Sequence, residues 1–270
     1  KAVSATQSFE GNPMVTKNHP LSVAELIAGH PDDAIAVSAI GRDALTYGAL
    51  RTLATDTVAQ MNGFGIGRGD RVGIVLPNGP EMATSFVTLA TGMTTAPLNP
   101  AYRAEEYDFY LSDLGAKALV VARDYDGPAV DVARGRGVSI VRLDVAEGAP
   151  AGAFTLALDG AAPDGQPGEC GVAGADDVAL VLHTSGTTSR PKIVPLLQRN
   201  VSSSAAHIVE ALALRQDDHC LNVMPLFHIH GLIAAVLASL AAGSRVTCTA
   251  GFNALQFFSW LRDTKPTWYT

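Results

Sequence analysis

The sequence predicts an α/β fold of mostly parallel sheets flanked by helices, and three observations predict it. Short apolar runs without polar alternation recur, such as RVGIVL at 71–76 and VALVL at 178–182. Strands that lack a wet face are covered on both sides, as in parallel sheets. Stretches of helical periodicity alternate with these runs. Turn residues, such as Pro77-Asn78-Gly79, mark the joints.

In chain order, a helix is expected over 21–30, with Ser22 as its N-cap, and then a strand over 34–39. The stripe Leu50, Leu53, Ala54, Thr57, Val58 and Met61 has helical spacing and predicts a helix over 47–61. The glycine-rich run 63–69 ends it. It lacks the GxGxxG spacing and precedes a strand, so it reads as a turn. Strands are expected over 71–76, 94–98, 117–122 and 138–143, and helices over 81–91, 103–114 and 129–136, with Gly115 as a stop. The segment 144–177 is rich in Gly, Ala, Pro and Asp, with one weak strand at 154–158. It reads as a surface excursion between two lobes, or as a linker. Strands over 178–182, 220–224 and 245–249 follow, with helices over 201–214 (Asn200 as N-cap), 231–242 and 254–262. Trp260 and Trp268 read as core residues.

Composition narrows the function. Of 270 residues, 47% are hydrophobic and 17% charged, which excludes a disordered chain. The formal net charge of -7 opposes nucleic-acid binding driven by phosphate neutralisation. The three cysteines, Cys170, Cys220 and Cys248, are scattered, so no disulfide framework or zinc ribbon is expected. A reducing compartment, the cytoplasm, fits such usage. The most apolar stretch, 231–243, is shorter than the roughly 20 residues of a membrane span.

The segment HTSGTTSRPKIVP at 183–195 follows a buried-strand pattern directly. Thr184, Ser185, Thr187 and Thr188 surround Gly186, and Ser189, Arg190 and Lys192 follow. The glycine permits close backbone approach, and successive N–H groups can converge on an anion. The hydroxyls add donors and Lys192 adds a mobile charge. These are parts for holding a polyphosphate. The Walker A spacing is absent, and Ser185 does not match the G-x-S-x-G elbow of hydrolases. His228 and His230 form an H-x-H pair. On a strand both rings would share one face, a spacing that metals use, but no Cys or carboxylate cluster completes a site and none is assigned.

The ordered string HTSGTTSRPK resembles the phosphate-binding signature of the adenylate-forming superfamily, which includes acyl-CoA synthetases. Ser189 and Ile193 stand where glycines are usual. TSGTTSRPK and FHIHG look like the oxalate–CoA ligase-like branch. LTYGAL at 45–50, TGMTTAPLNP at 91–100, MPLFHIHG at 224–231 and the end of the chain resemble further family segments, in the family's order.

The resemblance implies an acid–thiol ligase. It would use ATP, Mg2+ and coenzyme A, and form an acyl-adenylate from a carboxylic acid and then a thioester. Thr184, Ser185, Gly186, Thr187, Thr188, Ser189 and Lys192 would hold the phosphates. His228 would lie near the carboxylate and α-phosphate, and His230 would meet a small dianionic acid such as oxalate. A medium-chain fatty acid, a coumarate-like acid or a carrier-protein thiol are the alternatives, as is a non-catalytic binding fragment. Residues 1–270 then read as part of a large N-terminal domain: a lobe at about 20–145, the excursion 146–176 and a lobe at 177–270. The small C-terminal domain would be missing, and the isolated chain is expected to be inactive or nearly so.

Overall fold

The computed structural model describes residues 19–163, 168–184 and 191–270, with the backbone alone of Thr184. The chain begins with α1 (Val23–Ala28), β1 (Ile35–Ser38), β2 (Leu45–Thr46) and α2 (Tyr47–Gly63). It continues through β3 (Arg71–Val75), α3 (Pro80–Ala90), β4 (Thr94–Pro97), α4 (Ala104–Leu114), β5 (Ala118–Ala122), α5 (Pro128–Gly135), β6 (Ser139–Asp144) and β7 (Thr155–Asp159). Next come β8 (Val178–Thr184), β9 (Lys192–Leu197), α6 (Gln198–Leu212) and β10 (His219–Asn222). A π-helix (His230–Leu237) leads into α7 (Ala238–Ala241), β11 (Arg245–Cys248), α8 (Phe257–Thr264) and β12 (Trp268–Tyr269).

Among the described residues these strands form two sheets. One has seven strands in the order β7-β6-β5-β3-β4-β8-β9, the other five in the order β12-β10-β11-β1-β2. Pairing is parallel except at β6–β7, β8–β9 and β1–β2. Strand β5 shows why apolar runs without alternation mark such a sheet. Ala118 and Val120 enter the main core with α2 and α3, while Leu119 and Val121 enter a second cluster with Tyr107 and Leu111 of α4 and Val130 of α5. Alternate side chains thus supply two separate cores, one on each face.

Local signals behave as their chemistry dictates. Ser22 Oγ accepts from Glu25 N at 3.2 Å and starts α1. Gly115 stops α4 in the left-handed conformation, φ 57°. The stripe of α2 is buried at Leu50, Ala54, Thr57, Val58 and Met61. Tyr47 packs beneath it, and its hydroxyl donates to Ser244 O at 2.7 Å.

Strand membership does not follow sequence order. β8 joins β4, whereas β1 and β2 join the sheet of β10–β12. The chain therefore crosses between sheets after β2 and after β9. The 146–176 stretch stays with the seven-stranded sheet: β7 pairs with β6 over five positions, and Ala151, Phe154 and Ala173 are buried.

Three expectations need correction. Helix α6 starts three residues before Val201, and Asn200 is not its N-cap. Instead Asn200 Oδ1 reaches back to accept from Leu197 N at 2.9 Å. The helix expected over 231–242 begins one residue earlier as an eight-residue π-helix, His230–Leu237, and is α-helical only over its last turn. Trp260 is half-buried and lies outside the core, whereas Trp268 is half-buried and packs against the main core. Trp260 lines a cavity, and the Trp268 indole N–H is buried without a partner among the described residues.

His219 opens β10 at 3% exposure, with Nε2 2.7 Å from Thr247 Oγ1. Burial pushes its imidazole down to about 4, and the Arg245 guanidinium acts in the same direction. The folded state thus binds this proton more weakly than the unfolded chain, so its contribution to stability is complete above about pH 6.5. That contribution is lost as pH falls from about 6.5 towards 4, at a cost of up to about 3 kcal/mol. Urea unfolding across that window should show the loss, and His219→Gln should flatten the slope between about pH 6.5 and 5. A variant with the parent's slope there would exclude His219 as the source.

Candidate active site

The sequence predicts a phosphate-binding loop directly after a buried strand. That strand is β8, and two buried hydroxyls fix it. Thr94 Oγ1 donates to Val178 O at 2.8 Å and Thr95 Oγ1 to Ala179 O at 2.7 Å. β8 and β9 form an antiparallel hairpin in which Thr184 and Lys192 are Cα partners at the mouth. Ser185, Gly186, Thr187, Thr188 and Ser189 lie outside the described residues. Lys192 is exposed at the start of β9. The hairpin's far end is tied to the body through Gln198. Its Oε1 accepts from Val23 N at 3.0 Å and its Nε2 donates to Ala90 O at 2.5 Å.

Sequence reasoning misses His183, because its partner lies 70 residues away. The ring sits on β8 just before Thr184, with its side chain only 6% exposed and Nε2 3.1 Å from Asp113 Oδ2. Its edge meets Tyr110 of α4, centroids 4.6 Å apart. Burial lowers its pKa while Asp113 pulls it back up. A neutral ring that donates from Nε2 to a carboxylate satisfies both partners. Asp113 thereby braces the inner strand of the hairpin against α4.

The two histidines of the H-x-H pair do not lie on a strand. His228 is in the turn after β10, and His230 is the first residue of the π-helix. Asn222 begins that turn by clamping Met224: Oδ1 accepts from Met224 N at 3.1 Å and Nδ2 donates to Met224 O at 3.2 Å. His228 N donates to Pro225 O at 3.3 Å. His230 N donates to His228 Nδ1, also at 3.3 Å, so Nδ1 is the acceptor. The neutral His228 ring then carries its proton on Nε2, and an exposed N–H donor results. Such a donor matches a carboxylate or phosphate oxygen. His230 borders a cavity of about 800 Å3 with Ala234 and the 267–270 segment. Among the described residues no group of three or more His, Cys, Asp or Glu side chains could hold a metal ion.

The structure therefore brings Thr184 next to Lys192, and His228 next to His230. The first pair lies on the seven-stranded sheet, whereas the second lies in the turn and π-helix that follow β10 of the other sheet. Helix α6 packs against β8, β9 and the π-helix, and so lies between them.

Gly231 explains how the chain turns sharply enough into the π-helix. A Cβ there would sit 2.5 Å from Pro225 O, closer than side chains approach a carbonyl. Gly231→Ala should therefore displace the His228 turn and destabilise the fold by about 1–3 kcal/mol, the usual range for forced overpacking. Thermal unfolding of the variant checks this, and an unchanged midpoint would show that the turn gives way freely.

Layered parallel sheets and a hydroxyl-rich loop closed by lysine define a class. Residues 23–270 match the family described as AMP-binding enzyme, and the chain belongs to that family. Within it, the chain is 37% identical over 250 residues to an oxalate–CoA ligase of Arabidopsis thaliana, covering 91% of this chain and 48% of that protein. It is 31% identical over 247 residues to an oxalate–CoA ligase of Saccharomyces cerevisiae, covering 83% of this chain and 45% of that one. The crystal structure of apo MatB from Rhodopseudomonas palustris shares the fold, with a TM-score of 0.75 at 22% identity over 92% of this chain and 48% of that one. The two oxalate–CoA ligases set the chain in the oxalate–CoA ligase-like branch, and the chain spans about half the length of each of these proteins. Among the described residues no helix is long and apolar enough to cross a membrane.

Proposed function

We propose that the protein carrying this chain is a carboxylate–CoA ligase that proceeds through an acyl-adenylate, with oxalate as its acid. The family match across 23–270 carries this reading. In the first step a carboxylate oxygen attacks the α-phosphorus of ATP. The bond to the bridging oxygen breaks, and pyrophosphate leaves. In the second step a thiolate of coenzyme A attacks the acyl carbon, and AMP leaves with the electron pair. A carboxylate is a poor electrophile, and the adenylate supplies the leaving group it lacks. The protein's task is positioning and charge stabilisation. Mg2+ bound to the phosphates of ATP would neutralise part of their charge, with the hydroxyls and Lys192 of the loop holding the remaining oxygens.

Thr184, Ser185, Gly186, Thr187, Thr188, Ser189 and Lys192 take the β- and γ-phosphates. His228 offers its Nε2–H to the oxygen that bridges acid and α-phosphorus. His230, on its cavity, meets the second carboxylate of a small dianion. Oxalate leads because two relatives named for it are 37% and 31% identical to this chain, and because one residue alone separates His228 from His230.

The test is carboxylate-dependent exchange of labelled pyrophosphate into ATP by the full-length protein, with oxalate, a medium-chain fatty acid and a cinnamic acid. Oxalate should support exchange. Lys192→Ala should lower it at least about tenfold while the thermal midpoint stays within about 2 °C, because an exposed lysine buries little. A folded protein that binds ATP yet exchanges with no acid would overturn the reading, and exchange with another acid alone would overturn oxalate.

A further inference from the structure

The turn that carries His228 has little structure of its own. Residues 223–229 form neither strand nor helix until Ile229. Asn222 holds one end of it, as described above. The other restraint comes from the opposite sheet. Asn78 lies in the turn between β3 and α3, at the carboxyl end of a central strand of the seven-stranded sheet. Its Oδ1 accepts from Leu226 N at 2.7 Å. Its Nδ2 donates to Thr249 O at 2.9 Å and to Met224 O at 3.3 Å. One amide thus spends both donors and one acceptor on two segments 146 to 171 residues away.

The position of Asn78 is itself fixed. The next residues, Gly79 and Pro80, are buried, and α3 is packed on almost every face. Leu226 is fully buried, so its N–H has no water to turn to. His228 follows two residues later, and its own N–H is bonded to Pro225 within the same turn. A shift at Leu226 is therefore passed to the imidazole, whose exposed Nε2–H is the chemically useful atom.

We infer that Asn78 is a positioning residue for the adenylation step: it sets His228 against the reacting oxygens by pinning Met224 and Leu226 to the β3–α3 turn. The inference rests on the ligase reading for the role of His228. The pinning itself is a property of the fold. Asn78 touches no substrate in this scheme and acts through the turn alone.

Asn78→Asp keeps the acceptor for Leu226 N but removes both donors and adds a charge facing two carbonyls. Asn78→Ala removes all three bonds. Both variants are made in the full-length protein, and acid-dependent pyrophosphate exchange is measured beside amide hydrogen exchange. The kcat should fall at least about tenfold in both, since displacements near 1 Å at a reacting group cost up to about a hundredfold. The KM for ATP should move less than about threefold, because the phosphate loop lies on the β8–β9 hairpin and not on this turn. Amide protection should be lost over 223–232 and kept in β3, β5 and β8. An unchanged kcat would overturn the inference, and so would a loss of protection spread evenly over both sheets, the mark of a merely structural asparagine. If the parent exchanges pyrophosphate with no acid, the ligase reading fails separately. Local or global loss of protection then decides on its own whether Asn78 pins the turn.

Discussion

Helix α3 has almost no wet face, and both sheets are arranged around that constraint. All of its residues except Glu81 are buried, and it packs against α2, β1, β4, β11 and the π-helix. Such a helix must satisfy its own polar groups. Ser85 and Thr91 turn their hydroxyls to carbonyls one turn back, and Thr84 adds a bond to Gly152 O at 2.7 Å. Glu81 is tied to Arg42 at 2.6 Å and accepts from Gly152 N at 3.1 Å. The chain at Gly152 is therefore held by the same helix that separates the sheets. Because α3 cannot slide, the turn in front of it is a fixed reference point, and the His228 turn is measured from it.

Much of the architecture is legible in the sequence because it rests on local signals. Apolar runs such as RVGIV and ALVVA need no distant partner to be read as strands covered twice. Ser22 and Gly115 announce helix ends through backbone chemistry confined to a few residues. What stays illegible is what depends on remote partners. The pairing of β8 with β4 joins residues about 85 positions apart, and nothing in either run selects it. Asn200 shows the limit of even a local rule: the same side chain caps a helix from its start or from inside its first turn, and the sequence does not say which. The π-helix is invisible for a related reason. GLIAAVL fits an apolar helix of either pitch, and the close approach of Gly231 to Pro225 is a contact across the turn that no local pattern announces.

The site divides along the same line. The loop string and the H-x-H pair are readable because chemistry concentrates there in consecutive residues. His183 and Asn78 act through partners 70 and 146 to 171 residues distant, and each looks ordinary in isolation. Two of the chain's three thiols are withheld from chemistry. Cys220 and Cys248 are buried, and burial raises both, Cys248 to about 12, so neither forms a thiolate near neutrality.

The antiparallel strand that presents Lys192 is also the last strand of its sheet, with one side of its backbone unpaired. Pro195, exposed in the middle of β9, has no N–H to offer there, and Lys192 sets a charge at its start. At the opposite margin of this sheet β7 ends in Asp159, paired with Arg142 at 2.8 Å, and in the five-stranded sheet the edge strand β2 is only two residues long. Another molecule's strand meets a missing donor, a charge or too short a ladder at each of these margins. The hairpin that ends in Thr184 and Lys192 is thereby a poor template for sheet growth between molecules, so an open rim and resistance to aggregation coexist in one strand.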